Sequence, residues 1–326
     1  MESNEQLFAS PDIESAIDRS PLIIAPDTPL VDAIAMMGQA KGNSCKLGTH
    51  EEIKNSEFQI ASHRRSSCAL IMLEEELQGI LTERDIVKLT AKKLAFDSVV
   101  VAEVMTQPVV TLAKNNLKDI FAALFLFRRY RIRHLPIVDD TNRLLGVVSP
   151  ETIRQAMRPA NLLKLRRVAD VMSKNVIHAL TTDSVLHLVQ LMAQHRVSCV
   201  IITEADAQEN ILIPVGIITE RDILQFQCLQ MRLDNLEAGE VMSSPLFLLS
   251  PEDSLLAAHQ EMQRLRVRRL VVSWNWGQGL GIVTQTSMLR IFDPMEMYGV
   301  IETLQSTVQQ LEQEKTELLK LVNEIS

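Results

Sequence analysis

Two short segments of this chain carry residue types suited to holding a ligand, Thr82-Glu83-Arg84-Asp85 and Thr219-Glu220-Arg221-Asp222. An ionised carboxylate accepts hydrogen bonds and donates none, so each Asp could take bonds from two neighbouring hydroxyl groups. The same Thr-x-x-Asp spacing also suits a helix start, with Thr as the N-cap and Asp reaching back from the third helical position. Two basic clusters stand apart from these segments, Arg131-Ile132-Arg133-His134 and Arg266-Val267-Arg268-Arg269. In an extended chain, arginines at i and i+2 share a face and make a two-pronged positive edge. Cys45, His50, His63 and Cys68 form two short pairs, as tetrahedral zinc requires. The gaps within those pairs are loose and Cys68 belongs to an apolar run ending at Leu73, so the expectation is loop residues without a metal. No nucleophile elbow, Walker glycine loop or acidic metal cluster is present, so the chain reads as a binding protein and not as an enzyme.

The elements that must position these residues belong to a segment repeated four times. Its third strand-like run ends at Gly79 in GILTERD, Gly146 in GVVSPET, Gly216 in GIITERD and Gly281 in GIVTQTS, which lie 67, 70 and 65 residues apart. A period this long marks a duplicated unit of supersecondary size and not a solenoid of short repeats. Three copies open alike, at Val104-Met105, Val171-Met172 and Val241-Met242. In the second copy, Val109 to Leu112 is β-rich, and Leu117, Ile120, Phe121, Leu124 and Phe125 have helical spacing. His134 to Val138 and Leu144 to Val148 then read as buried strands joined by a turn at Asp139 to Asn142. The order is β-α-β-β-α, and the third and fourth copies repeat it. The expected boundaries are 13–98, 99–160, 165–233 and 234–292, with a polar insert at about 41–65 in the first copy.

The repeats also weigh the cap against the ligand. Every copy keeps a hydroxyl where its last helix starts, at Thr82, Ser149, Thr219 and Thr284, but the carboxylate three residues on survives in the first and third copies alone. Thr152 and Ser287 replace it in the other two. Capping alone does not account for that alternation, because every copy has a helix to start.

A chain of 326 residues suits two compact cores, in agreement with four repeats packed as two pairs. Aromatics are 4% of the residues, so those cores must be aliphatic. A net charge of -8 argues against a sequence-independent nucleic-acid partner, which would meet a broad basic face. No apolar run reaches the ~18 residues of a membrane span, and MESNEQLFAS lacks the features of a signal peptide. The expectation is a soluble, cytoplasmic protein with reduced thiols at Cys45, Cys68, Cys199 and Cys228. Beyond Pro294, Ile301, Leu304, Val308, Leu311, Leu318, Val322 and Ile325 fall on a heptad seam interrupted by Lys315. Residues 293–326 therefore predict a coiled-coil helix, intermolecular in preference to folded back on its own domain.

The recurrence in order of the Val-Met openings, the Leu135-Pro136-Ile137-Val138 strand and the closing Gly-x-x-Thr-x-x-Asp resembles the CBS domain. Tandem pairs of that domain form Bateman modules, which bind adenosine nucleotides. The resemblance covers about residues 13–292 and implies an α/β (α+β) fold of four copies, the first paired with the second and the third with the fourth about local twofolds. It implies that Thr82, Asp85, Thr219 and Asp222 bind ribose. It places phosphates near Arg131, Arg133, His134, Arg266, Arg268 and Arg269, with Arg84 and Arg221 as further candidates. Adenine would lie near Ser67-Cys68 and Ser198-Cys199, although cysteine as core filler explains those positions equally well. The implied ligand is ATP, ADP or AMP, at most two per chain, with no catalytic cofactor. The segment from Tyr298 to Lys315 resembles the link to a histidine kinase or diguanylate cyclase output domain in cis, in a homodimer held by CBS modules and coiled coil. Two alternatives stay open, a scaffold that only dimerises and a cyclic di-AMP sensor.

Overall fold

The structure is a computed structural model that describes residues 13–40, 68–116, 120–157, 163–164, 166–205, 212–275 and 279–292. Among them the chain builds four three-stranded sheets, each with its first strand parallel and its third antiparallel to the central one. The first unit contains β1 (Leu22–Ile24), α1 (Leu30–Gln39), β2 (Cys68–Leu73), β3 (Glu76–Thr82) and α2 (Glu83–Ala91). The second opens with α3 (Val101–Val104) and continues through β4 (Leu112–Ala113), α4 (Ile120–Tyr130), β5 (Leu135–Val138), β6 (Leu144–Val148) and α5 (Pro150–Met157). The third contains α6 (Val168–Val171), β7 (His178–Leu180), α7 (Val185–His195), β8 (Cys199–Ala205), β9 (Leu212–Thr219) and α8 (Glu220–Cys228). The fourth contains α9 (Ala238–Val241), β10 (Leu248–Leu249), α10 (Leu255–Arg264), β11 (Arg269–Trp274), β12 (Gly279–Thr284) and α11 (Gln285–Met288). A parallel step needs a crossover, and the first long helix of each unit supplies it.

The sequence dictates these elements locally. In α7, Val185, Leu188, Val189 and Met192 recur at helical spacing and are all buried, while the Ser184 hydroxyl accepts the His187 amide at the helix start. The central strands β2, β5, β8 and β11 are buried for most of their length, so they read as continuous apolar runs.

The recurrent glycines and Val-Met openings turn out to be two halves of one contact between units. A Cβ added at Gly79 would lie 2.3 Å from Met105 Sδ, and one at Gly216 would lie 2.2 Å from Met242 Sδ. Gly281 faces Met172 more loosely, with a would-be Cβ 3.2 Å from Met172 Sδ, and backbone bridges join Ile80 to Thr106, Ile217 to Ser243 and Ile282 to Ser173. At Gly79 and Gly216 the methionine of the adjoining unit occupies the space that a Cβ would take. The contacts link the first unit with the second and the third with the fourth. Gly146 is tighter still, with φ +155 and a would-be Cβ 2.3 Å from the Asp18 carbonyl oxygen, which is backbone and cannot give way. Gly146→Ala is expected to lower unfolding free energy by about 2 kcal/mol, measured by chemical denaturation.

Helices join the two pairs within one chain. In the first and third units, α2 packs on α7 and α8, and α1 packs on α8. Val87 of α2 is buried in the core of the third unit, and Leu224 of α8 is buried in the core of the first. The second and fourth units share one continuous core. Cys68 and Cys199 are free thiols, whereas Cys228 is disulfide-bonded, a departure from the expectation of four reduced thiols. The insert at 41–65, the zinc candidates Cys45, His50 and His63, the adenine candidate Ser67 and the coiled coil at 293–326 lie outside the described residues.

Candidate ligand-binding site

Each unit ends its third strand with a helix cap, and the four caps differ chiefly in whether the third helical residue is a carboxylate or a hydroxyl. In the first unit, the Thr82 amide donates to Asp85 Oδ2 at 3.1 Å, the Thr82 hydroxyl donates to the same oxygen at 2.7 Å, and the Asp85 amide returns to Thr82 Oγ1 at 3.4 Å. The Thr219 amide donates to Asp222 Oδ2 at 2.8 Å. The second and fourth units make the same bond with hydroxyls, from the Ser149 amide to Thr152 Oγ1 at 2.9 Å and from the Thr284 amide to Ser287 Oγ at 2.8 Å. A hydroxyl therefore suffices for the cap, and the carboxylates of the first and third units bring an additional negative charge. Asp85 also pairs with Lys88 at 3.0 Å.

Strand register shows what stands opposite each cap. Cys68 pairs with Thr82, Cys199 with Thr219 and Arg269 with Thr284, while Leu135 pairs with Val148, so His134 falls level with Ser149. The equivalent positions are thus Cys68, His134, Cys199 and Arg269, each preceded by Ser67, Arg133, Ser198 and Arg268 in turn. Cations occur in the second and fourth units, acids in the first and third, and packing the units together brings the two kinds face to face.

The cations gather around a cavity of about 280 Å³. Arg133 and His134 reach it from the second unit, Arg268, Arg269 and Arg290 from the fourth, and Ser198 from the third. Hydroxyls of Ser149, Ser173, Thr284 and Ser287 and the Glu151 carboxylate complete the polar lining. The positive charges crowd one another. Burial pulls the Arg268 guanidinium down to about 10, and repulsion from Arg221 adds to the shift. Burial also lowers Arg221, with Arg269 repelling it. Arg269 donates to the Ser198 carbonyl oxygen. Such a site gains from any anion that enters it.

Buried carboxylates hold part of this charge. Glu220, with its side chain 3% exposed, binds Arg84 Nε at 3.1 Å and Arg133 Nη1 at 3.2 Å. Arg268 lies 3.9 Å from Glu83 and 3.6 Å from Glu151. Glu83 and Glu220 occupy the same position in their repeats, directly after the capping Thr. Their recurrence in just the two acidic copies is the signal the sequence carries for them.

Of the residues singled out from sequence, Arg133, His134, Arg268, Arg269 and Ser198 come together at the cavity. Thr82, Asp85, Thr219 and Asp222 sit at their caps and are not among its lining residues. Arg84 is turned toward Glu220. Cys68 and Cys199 are buried in the sheets, and burial pushes the Cys199 thiol up. Arg131 and Arg266 do not join the positive edge. An i, i+2 face requires extended backbone, but both residues are left-handed, at φ +53 and +54, where the chain leaves its helix, and both are exposed. The space also opens over Thr284 and Ser287, the hydroxyl-type cap, and not over either carboxylate-type cap. Among the described residues, no group of three or more His, Cys, Asp or Glu could hold a metal ion, and no helix is long and apolar enough to cross a membrane.

The CBS domain model matches residues 101–159, 168–228 and 238–293, more than half of the chain, so the protein belongs to the CBS domain family. Protein MK0525 of Methanopyrus kandleri is 33% identical over 99 residues, 30% of this chain and 50% of its own length. A 33.4 kDa protein of Thermofilum pendens is 26% identical over 54% of this chain and 60% of its own length. The chain thus spans half to three fifths of the length of these relatives. Among solved structures, protein MJ1225 of Methanocaldococcus jannaschii superposes with a TM-score of 0.67 at 20% identity, over 86% of this chain and 99% of that one. A conserved protein of Pyrococcus horikoshii superposes with a TM-score of 0.54 at 14% identity, over 86% of this chain and 98% of that one. Both likenesses concern the fold.

Proposed function

We propose that this chain is a regulatory sensor that binds an adenine nucleotide, AMP, ADP or ATP, between its paired units and passes occupancy on to an output domain or partner. The observation that carries the reading is the cavity in which Arg133, Arg268 and Arg269 converge from two units with capping hydroxyls beside them. Phosphate oxygens suit the guanidinium forks, and the hydroxyls and strand edges suit a sugar. In this reading residues 13–98 are a further CBS copy, because their sheet has the same order and strand directions as the other three. Asp85 and Asp222 bind ribose in the first and third copies through the carboxylate capacity that the cap leaves over. The segment at 293–326 pairs two chains and relays the change.

Occupancy regulates only if the ligand binds two packings of the units unequally. Closing on a phosphate draws Arg133 of the second unit and Arg269 of the fourth toward one point, so the shared core of those units is where the packings would differ.

Calorimetric titration of the full chain with AMP, ADP and ATP tests the reading, with cyclic di-AMP as a competitor. Saturable binding that weakens as salt is raised is the expected result. Asp85→Ser and Asp222→Ser separate ribose binding from capping, because Thr284 and Ser287 already show that a hydroxyl makes the cap. Each is expected to weaken the nucleotide about tenfold with an unchanged melting temperature. Absence of heat with all three nucleotides leaves the dimerising scaffold as the function.

A further inference from the structure

We propose that Glu220 is an internal counter-anion for the cavity: it competes with the bound phosphate for Arg133 and thereby sets the affinity of the site. The inference rests on the reading of the cavity as an anion site. Glu220 does not line the cavity, yet one of its oxygens binds Arg133 Nη1, which does, at 3.2 Å. Its other oxygen binds Arg84 Nε of the first unit at 3.1 Å. One buried carboxylate on the third unit therefore holds cations from the first and second units at once.

Geometry makes this a competition and not a fixed brace. The two arginine side chains are each 31% exposed, whereas the Glu220 side chain, at 3%, is enclosed, so the arginines and not the carboxylate are the partners able to move. Arg133 has two directions in which its fork can satisfy an anion, back to Glu220 or forward into the cavity beside Arg268 and Arg269. Turning forward leaves Glu220 with Arg84 alone, which keeps the buried carboxylate paired and makes the exchange affordable. In this arrangement Arg84 is the residue that allows Arg133 to leave. Phosphate binding then loosens the link between the third and second units and tightens that between the third and first.

Three predictions distinguish this role from a merely structural one. Glu220→Gln frees Arg133 and is expected to tighten anion binding about tenfold. Arg84→Gln leaves Arg133 as the sole partner of the buried carboxylate and is expected to weaken it by a similar factor. In an Arg133→Gln background, Glu220→Gln is expected to change affinity less than about twofold, because the competitor has lost its object. The last comparison removes the simple field of an added or deleted charge, which would persist without Arg133.

The experiment titrates the full-length wild type and these variants with AMP and, separately, with inorganic pyrophosphate, with thermal melts confirming that each variant is folded. Opposite shifts for the two single variants, vanishing in the Arg133→Gln background, support the proposal with either anion. Shifts in the same direction, a tenfold gain that survives in the Arg133→Gln background, or no binding of either anion by any folded variant overturns it. Pyrophosphate binding with the predicted shifts but no AMP binding retains the counter-anion and rejects the nucleotide reading.

Discussion

Arg269→Gln is expected to weaken nucleotide binding about a hundredfold while leaving the melting temperature unchanged or raised. Among the cavity arginines, Arg133 is ion-paired with Glu220, and Arg268 lies between Glu83 and Glu151. Among the described residues, Arg269 has no carboxylate within ion-pair distance and donates to the Ser198 carbonyl oxygen. Its charge is thus less compensated than that of Arg133 or Arg268, and it depresses both Arg221 and Arg268. An anion in the cavity gains most from this group, and truncating one partner of a desolvated charge pair costs on the order of 2–5 kcal/mol of affinity. In the empty protein the same charge is repulsive, so removing it relieves Arg268 and Arg221. A purely structural arginine would show the reverse, a lower melting temperature with little change in affinity. Calorimetry and a thermal melt on one preparation decide between them.

The parts legible in the sequence are those whose causes lie within a single repeat. Val185, Leu188, Val189 and Met192 announce a buried helix face wherever the rest of the chain goes, and Ser184 announces its start. Strand edges are less legible, as at β5, which begins at Leu135 one residue after the His134 start that the apolar run implies. The site was legible only in part because it is made between repeats. Arg133 and Arg269 are 136 residues apart and meet because the second unit packs on the fourth, a fact carried by helix faces that look like ordinary core-facing stripes. Arg131 and Arg266 show the converse, because alternation along an extended chain does not reach residues that a left-handed turn removes from the strand. The burial of Glu220 likewise has no signal within its own repeat, because Arg84 and Arg133 approach it from two other units.

The arrangement of first unit on third makes a second large effect predictable. Leu224 belongs to α8 of the third unit but is 2% exposed within the core of the first, among Leu30, Ile34 and Met37 of α1. Val87 of α2 makes the reciprocal insertion into the third unit, beside Leu188 and Met192. Leu224→Ala removes buried methyl groups and leaves a cavity, at a cost of about 2–4 kcal/mol. Leu224→Asp adds an uncompensated charge and is expected to lower unfolding free energy by about 4 kcal/mol or more. The chain can escape that penalty by parting α8 from α1 and α2, which exposes the carboxylate to water. Val87 lies on the interface that parts, so Val87→Asp added to Leu224→Asp is expected to cost much less than it does alone. Denaturant titrations of the two single variants and the double variant measure this. Full additivity would mean that Leu224 and Val87 belong to independent cores, and the two pairs of units would then not be joined through α2 and α8.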